Sequence, residues 1–159
     1  MNLKPNAAQC RRLPLRLATG AFIVNSGIGK LGLDKDGAAG LQSMASNAIP
    51  PVKNVDPELF GKALAGTEIT LGAVLLAPFV PTAVAGAGLT AFSAGLLTMY
   101  TRTPGMHEPG TPRPTQDGTA IAKDSWMLGI GLSLLIDAVQ SRRCSRDKAD
   151  GPVTAIIEV

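Results

Sequence analysis

From Ala63 to Thr101 the chain carries one charged side chain, Glu68, in a run otherwise built of Leu, Ala, Val, Ile, Gly, Thr, Ser, Phe, Met, Pro and Tyr. A membrane-crossing helix needs about 20 mostly apolar residues, so the run is long enough for two. Pro78 and Pro81 bracket Phe79 and Val80, where a helix must break and the chain turn. Aromatic residues make up only 4% of the 159 residues while glycine occurs 18 times. That mix is poor material for a large soluble core and suits helices that pack through small residues in lipid. Mean hydropathy is +0.20 although 17% of the residues are charged, so the apolar residues must be segregated into runs. The expected fold is all-α: a polytopic membrane protein forming an antiparallel four-helix transmembrane bundle.

The spans are read at residues 13–33, 57–79, 82–101 and 121–139, between tails at 1–12 and 140–159. The first is the least hydrophobic, with Arg16, Asn25 and Lys30 inside it. Arg16 and Lys30 lie roughly 21 Å apart along a helix axis, which lets them snorkel toward opposite interfaces. A polar connection follows, with Leu41, Met44, Ala45, Ala48 and Ile49 spaced as a short amphipathic piece that could lie flat at the interface. Asp56, Pro57 and Glu58 read as N-cap, first helical position and dipole-stabilising first turn of the second span. Residues 104–118 form a Pro- and Gly-rich loop before the last span.

Flanking charge sets the orientation. Lys4, Arg11, Arg12 and Arg16 precede or open the first span, and Arg142, Arg143, Arg146 and Lys148 follow the last. Both tails therefore read as cytoplasmic, in a multi-pass protein of the plasma membrane. The N-terminal segment lacks the long uninterrupted apolar core of a signal peptide and reads as retained. Net charge is +3, but no stripe of Lys and Arg interleaved with aromatics accompanies it, so nucleic acid is set aside as a partner. Cys10 and Cys144 lie near opposite ends on what would be the reducing side, and a structural disulfide is not expected. His107 and Glu108 stand without a second histidine or a suitably spaced cysteine, a weak metal signal, and no metal is assigned. No P-loop, dinucleotide fingerprint, G-x-S-x-G or haem-attachment motif occurs.

Glu68 is the first candidate for function. It shares a helical face with Ala65 and Gly72, which should turn it into the bundle. A carboxylate at that depth costs several kcal/mol unless it is paired, solvated or protonated. In the proposed topology Lys30, Glu68, Lys123, Asp124 and Trp126 gather in the outer half, with Arg102 and His107 opening the outer loop. A pocket is expected there, with Glu68 and Lys30 as its reactive pair and Asp124 and Trp126 as ligand-binding residues. Arg16 and Asp137 approach the inner interface, where a pair between them would position helices rather than form a site. Two stripes, Ala87-Ala91-Gly95 and Trp126-Gly129-Ser133-Asp137, are spaced for close helix approach.

The first span resembles the opening helix of DoxX-family membrane proteins in Arg16, Gly20, Phe22, Ser26, Gly27 and Lys30. The likeness continues more loosely through Glu68-Ile69-Thr70-Leu71-Gly72 and a Gly-rich last helix from Trp126 to Ile136. The resemblance implies a small four-helix membrane protein, linked in some members to respiratory or sulfur-compound oxidation with quinone as acceptor, or to a complex with detoxifying enzymes. The connections at 34–57 and 103–118 look longer than the family's usual ones. Two functions follow from the sequence. One is a redox-linked subunit of a membrane oxidoreductase or respiratory complex, with a quinone or small reductant at the outer mouth. The other is a non-catalytic accessory subunit docking on a larger membrane complex. A transporter would need an internal repeat or a broken helix, and neither is evident.

Overall fold

The computed structural model describes the backbone of residues 7–149 and the side chains of residues 9–144. The apolar tail end at 150–159 lies outside the described residues. Among the described residues there is no strand, only an isolated bridge between His107 and Pro114, and the all-α reading holds. The helices are α1 (Ala7–Leu31), α2 (Lys35–Ala48), α3 (Pro57–Leu76), α4 (Thr82–Arg102), α5 (Thr119–Ala122) and α6 (Ser125–Ala149), with a 3-10 turn at Pro50–Asn54.

Local chemistry sets most of these boundaries. The Asp56 carboxylate accepts from the Leu59 amide at 3.0 Å, and Pro57 occupies the first turn of α3, where its missing N–H goes unnoticed. Asp34 caps α2 in the same way, accepting from Gly37 N at 2.8 Å. α3 stops at Leu76, just before Pro78 and short of the limit read from hydropathy alone, because the proline cannot continue the hydrogen-bond ladder. The last helical segment is interrupted: one short turn, α5, precedes α6, which runs past the expected end at residue 139.

Among the described residues, three segments are long and apolar enough to cross a membrane: Pro57–Leu76, Thr82–Arg102 and Thr119–Cys144. α1 is the longest helix together with α6 but falls outside that set, its apolar residues being broken by Arg11, Arg12, Arg16 and Lys30.

The four long helices pack as two antiparallel pairs, α1 along α3 and α4 along α6, which meet through lighter α3–α4 and α1–α6 contacts. Glycine lets each pair close. A Cβ added to Gly72 would lie 2.5 Å from Val24 Cγ2 and 2.8 Å from the Gly20 carbonyl oxygen. One added to Gly131 would lie 2.8 Å from Thr90 N. Ile23, Leu75, Ala85, Leu89, Met127 and Leu134 fill the space between the pairs.

The stripes expected to pack do not. Ala87, Ala91 and Gly95 are exposed, and a Cβ on Gly95 would meet nothing within 4 Å. α4 instead turns Ala85, Gly86, Leu89 and Ser93 inward, with Leu96 against the core. On α6, Trp126, Gly129 and Ser133 are likewise exposed, while Met127, Gly131, Leu134 and Ala138 are buried. Both faces of these helices are apolar, so helical spacing identified stripes without saying which one would be covered.

Candidate functional site

Glu68 lies in the middle turns of α3, and the face it shares with Ala65 and Gly72 is buried, so the carboxylate projects toward α1 and is 5% exposed. α1 brings Lys30 to it from its last turn. Lys30 Nζ donates to Glu68 Oε2 at 2.9 Å and to Ser26 Oγ at 2.7 Å. The ammonium thus meets one full negative charge and one hydroxyl, which compensates the removal of both charges from water.

This pair borders a cavity of about 330 Å³, at the low end of ordinary ligand pockets. Phe22, Ile23, Phe92, Leu96, Met99 and Met127 make its walls apolar. Leu41 and Met44 of α2 also line it, so the amphipathic piece expected to lie flat at an interface contributes to the cavity. Gln42 anchors that helix by donating to the Val52 and Val55 carbonyls, and Asn47 donates to Thr103 Oγ1 at 3.3 Å.

Asp124, at the α5–α6 junction, is 8% exposed and lines the same cavity, within the fields of Lys123, Glu68 and Lys30. Lys30, Glu68 and Asp124 are therefore brought together as the sequence suggested. Trp126 is not: it is 39% exposed on α6 and touches the cavity only through Phe22, its ring edge-on at 5.8 Å between centroids. Lys123 Nζ stands 5.8 Å from the same Phe22 ring. Arg102 and His107 also stay out of the lining. Arg102 donates to the Ala48 carbonyl at 3.1 Å, while His107 contacts the Thr101 carbonyl and the Tyr100 ring.

What this arrangement can do follows from its parts. The walls are largely apolar, the lysine holds the neighbouring carboxylate in place, and three acidic groups, Glu68, Asp117 and Asp124, line a space large enough for one ring-sized ligand. Such a cavity can accept hydrogen bonds from a hydroxylated ligand and exchange a proton with it.

At the far end of the bundle Arg16 and Asp137 do not pair. Asp137 binds Arg11, at 2.9 Å, and Arg12. Arg16 donates to the carbonyls of Leu75 at 2.8 Å, Val74 at 2.9 Å, Ala77 at 2.7 Å and Val80 at 3.1 Å. It therefore closes the C-terminal end of α3, where the last carbonyls have no helical partner. The proline-terminated helix end carried the signal: carbonyls orphaned beneath Pro78 need a donor, and Arg16 lies at the matching depth of α1. The chain matches no protein-family model, no curated protein sequence and no solved structure.

Proposed function

We propose that the chain is a DoxX-like integral membrane protein in which α1 joins the three apolar segments as a fourth span, and that it serves as a redox-linked subunit of a plasma-membrane oxidoreductase. The observation that carries this reading is the Lys30–Glu68 pair beside Asp124 in an apolar-walled cavity. Both inner charges of α1 have partners at α3 or the turn that follows it, Lys30 the Glu68 carboxylate and Arg16 the carbonyls of Val74 and Leu75 on α3 and of Ala77 and Val80 just after it, which removes the main objection to placing that helix in lipid.

A quinone or similarly small reductant fits the cavity in size, in apolar lining and in having carboxylates to meet its oxygens. Bound there, such a ligand supplies two-electron chemistry coupled to proton transfer, the electrons being exchanged with a redox centre of the partner complex. The chain's own residues bind and orient. Phe22 and Phe92 flank a ring, Glu68 and Asp124 accept from hydroxyl groups, and Lys30 holds the Glu68 carboxylate in position through its hydrogen bond.

The test is to purify the protein in mild detergent, extract its lipids for quinone and assay quinone-linked turnover in membranes. Glu68→Gln preserves shape and most hydrogen bonds but removes the titratable proton, so it should fold normally and lose turnover. Folded Glu68→Gln protein with full turnover and wild-type quinone content would sink the reading.

A second reading is favoured by the open face of α4. Ala87, Ala91 and Gly95 offer a groove into which another helix could pack in lipid, as an accessory subunit docking on a larger complex would need. A stoichiometric membrane partner that co-purifies without quinone, and is lost in Ala91→Leu, would favour it.

A further inference from the structure

A second cavity, of about 580 Å³, opens at the Arg16 end between the first half of α1 and the proline turn joining α3 to α4. Its polar side includes Arg12, Arg16 and Thr82, and its apolar side Leu13, Leu17, Leu76 and Phe79. A guanidinium has five N–H donors. Arg16 spends four on neutral carbonyls, so its full charge meets no carboxylate in those bonds and one Nη1 hydrogen remains. Arg12 gives Nε and Nη2 to Asp137 and Ser141, while among the described residues its Nη1 reaches only Thr82 Oγ1, at 3.5 Å, the limit of a hydrogen bond. Arg11 draws on Asp137 as well. α4 adds the positive end of its dipole, beginning at Thr82 with no side-chain cap.

Two weakly used donors, on Arg12 and Arg16, thus border one cavity in a region where three guanidiniums gather and, among the described residues, two of them, Arg11 and Arg12, share the Asp137 carboxylate. The apolar side is open: Phe79 is 85% exposed and Leu13 53%. Positive charge at one side and exposed hydrocarbon at the other match an amphiphilic anion.

We propose that this cavity binds the phosphate of an anionic phospholipid, with Arg12 and Arg16 donating to its oxygens and an acyl chain lying along Leu13, Leu17 and Leu76. The exposed leucines run on into the outer surface of α1, where an acyl chain can follow them and a free anion gains nothing. The charge excess selects an anionic headgroup over a zwitterionic one, whose cation would face the arginines. The site shares with the redox reading only the placement of the helices in a membrane, and it uses neither Lys30 nor Glu68.

The experiment takes the full chain in neutral detergent and adds phosphatidylglycerol, phosphatidylcholine or inorganic phosphate, reading bound lipid by native mass spectrometry and Tm by thermal shift. Phosphatidylglycerol should be retained roughly fivefold better than phosphatidylcholine, and it alone should raise Tm. Arg12→Gln should abolish the preference, whereas Arg142→Gln, the same change of charge outside the cavity lining, should keep it. Equal retention of the two lipids, or equal loss in both variants, overturns the site. A Tm rise with millimolar phosphate matching that with phosphatidylglycerol overturns the lipid assignment. Should Arg12→Gln fail to fold, Leu17→Gln decides: lowered phosphatidylglycerol retention at unchanged lipid-free Tm supports the site, and unchanged retention overturns it. None of these outcomes bears on quinone content or turnover, so the two readings fail separately.

Discussion

The two ends of the bundle solve one problem in different ways. Each receives a basic side chain from α1 that would be costly in lipid on its own. At one end Lys30 meets the Glu68 carboxylate and the Ser26 hydroxyl beside a cavity. At the other Arg16 spreads its charge over four carbonyls where α3 ends. The first solution leaves a proton acceptor facing a space for a ligand. The second fixes a helix end with a group that stays protonated and offers nothing to titrate. The difference separates an end suited to chemistry from one suited to anchoring, although both begin as a cation on the same helix.

The most decisive test of that contrast is topological. Reporter fusions after Asp36, Val80, Asp117 and Arg146 should read outside, inside, outside, inside, placing the Lys30 end outward and the Arg16 end toward the cytoplasm. A cytoplasmic signal after Asp117 would reverse or break the assignment.

Among stability effects the largest belongs to Arg16. Arg16→Ala strands the carbonyls at the end of α3 and should cost about 3 kcal/mol in detergent unfolding, and Arg16→Lys should recover little because an ammonium cannot span four acceptors. A milder loss, about 2 kcal/mol, is expected from Glu68→Ala, with partial recovery in the double variant with Lys30→Met, which removes the cation left unpaired. If the double variant is no better than the single, the pair is not coupled and the contrast between the ends collapses.

Gly72→Ala should cost about 1 to 3 kcal/mol, because the new methyl meets the Gly20 carbonyl as well as the movable Val24 side chain. Ala91→Leu should change unfolding of the isolated protein by less than about 0.5 kcal/mol, its face being open. A large loss in Ala91→Leu would mean that α4 is rotated from the orientation described.

The candidate site was legible as far as single-helix arithmetic reaches. Ala65, Glu68 and Gly72 fall on one face by spacing alone, and antiparallel neighbours bring Lys30 to the same level. Trp126 was misplaced because the sequence put it in one continuous helix with Asp124, whereas Asp124 sits in the turn before α6 and Trp126 is exposed on that helix. Arg16 escaped because its partners are main-chain carbonyls, which a residue pattern shows only indirectly, through the proline that orphans them.

The sequence by itself determined the helical class, the breaks at Asp56-Pro57 and Pro78-Pro81, and the three apolar segments, since these depend on caps, prolines and the length of apolar runs. Only the tertiary structure decided which glycines are crossed by a neighbouring backbone, that Asp137 serves Arg11 and Arg12, and that Asp124 rather than Trp126 lines the cavity. The physical reason is rotation about the helix axis. On a helix with apolar residues all around, hydropathy is nearly blind to that angle, and it is set by how closely two backbones can approach, as at Gly20–Gly72 and Gly86–Gly131.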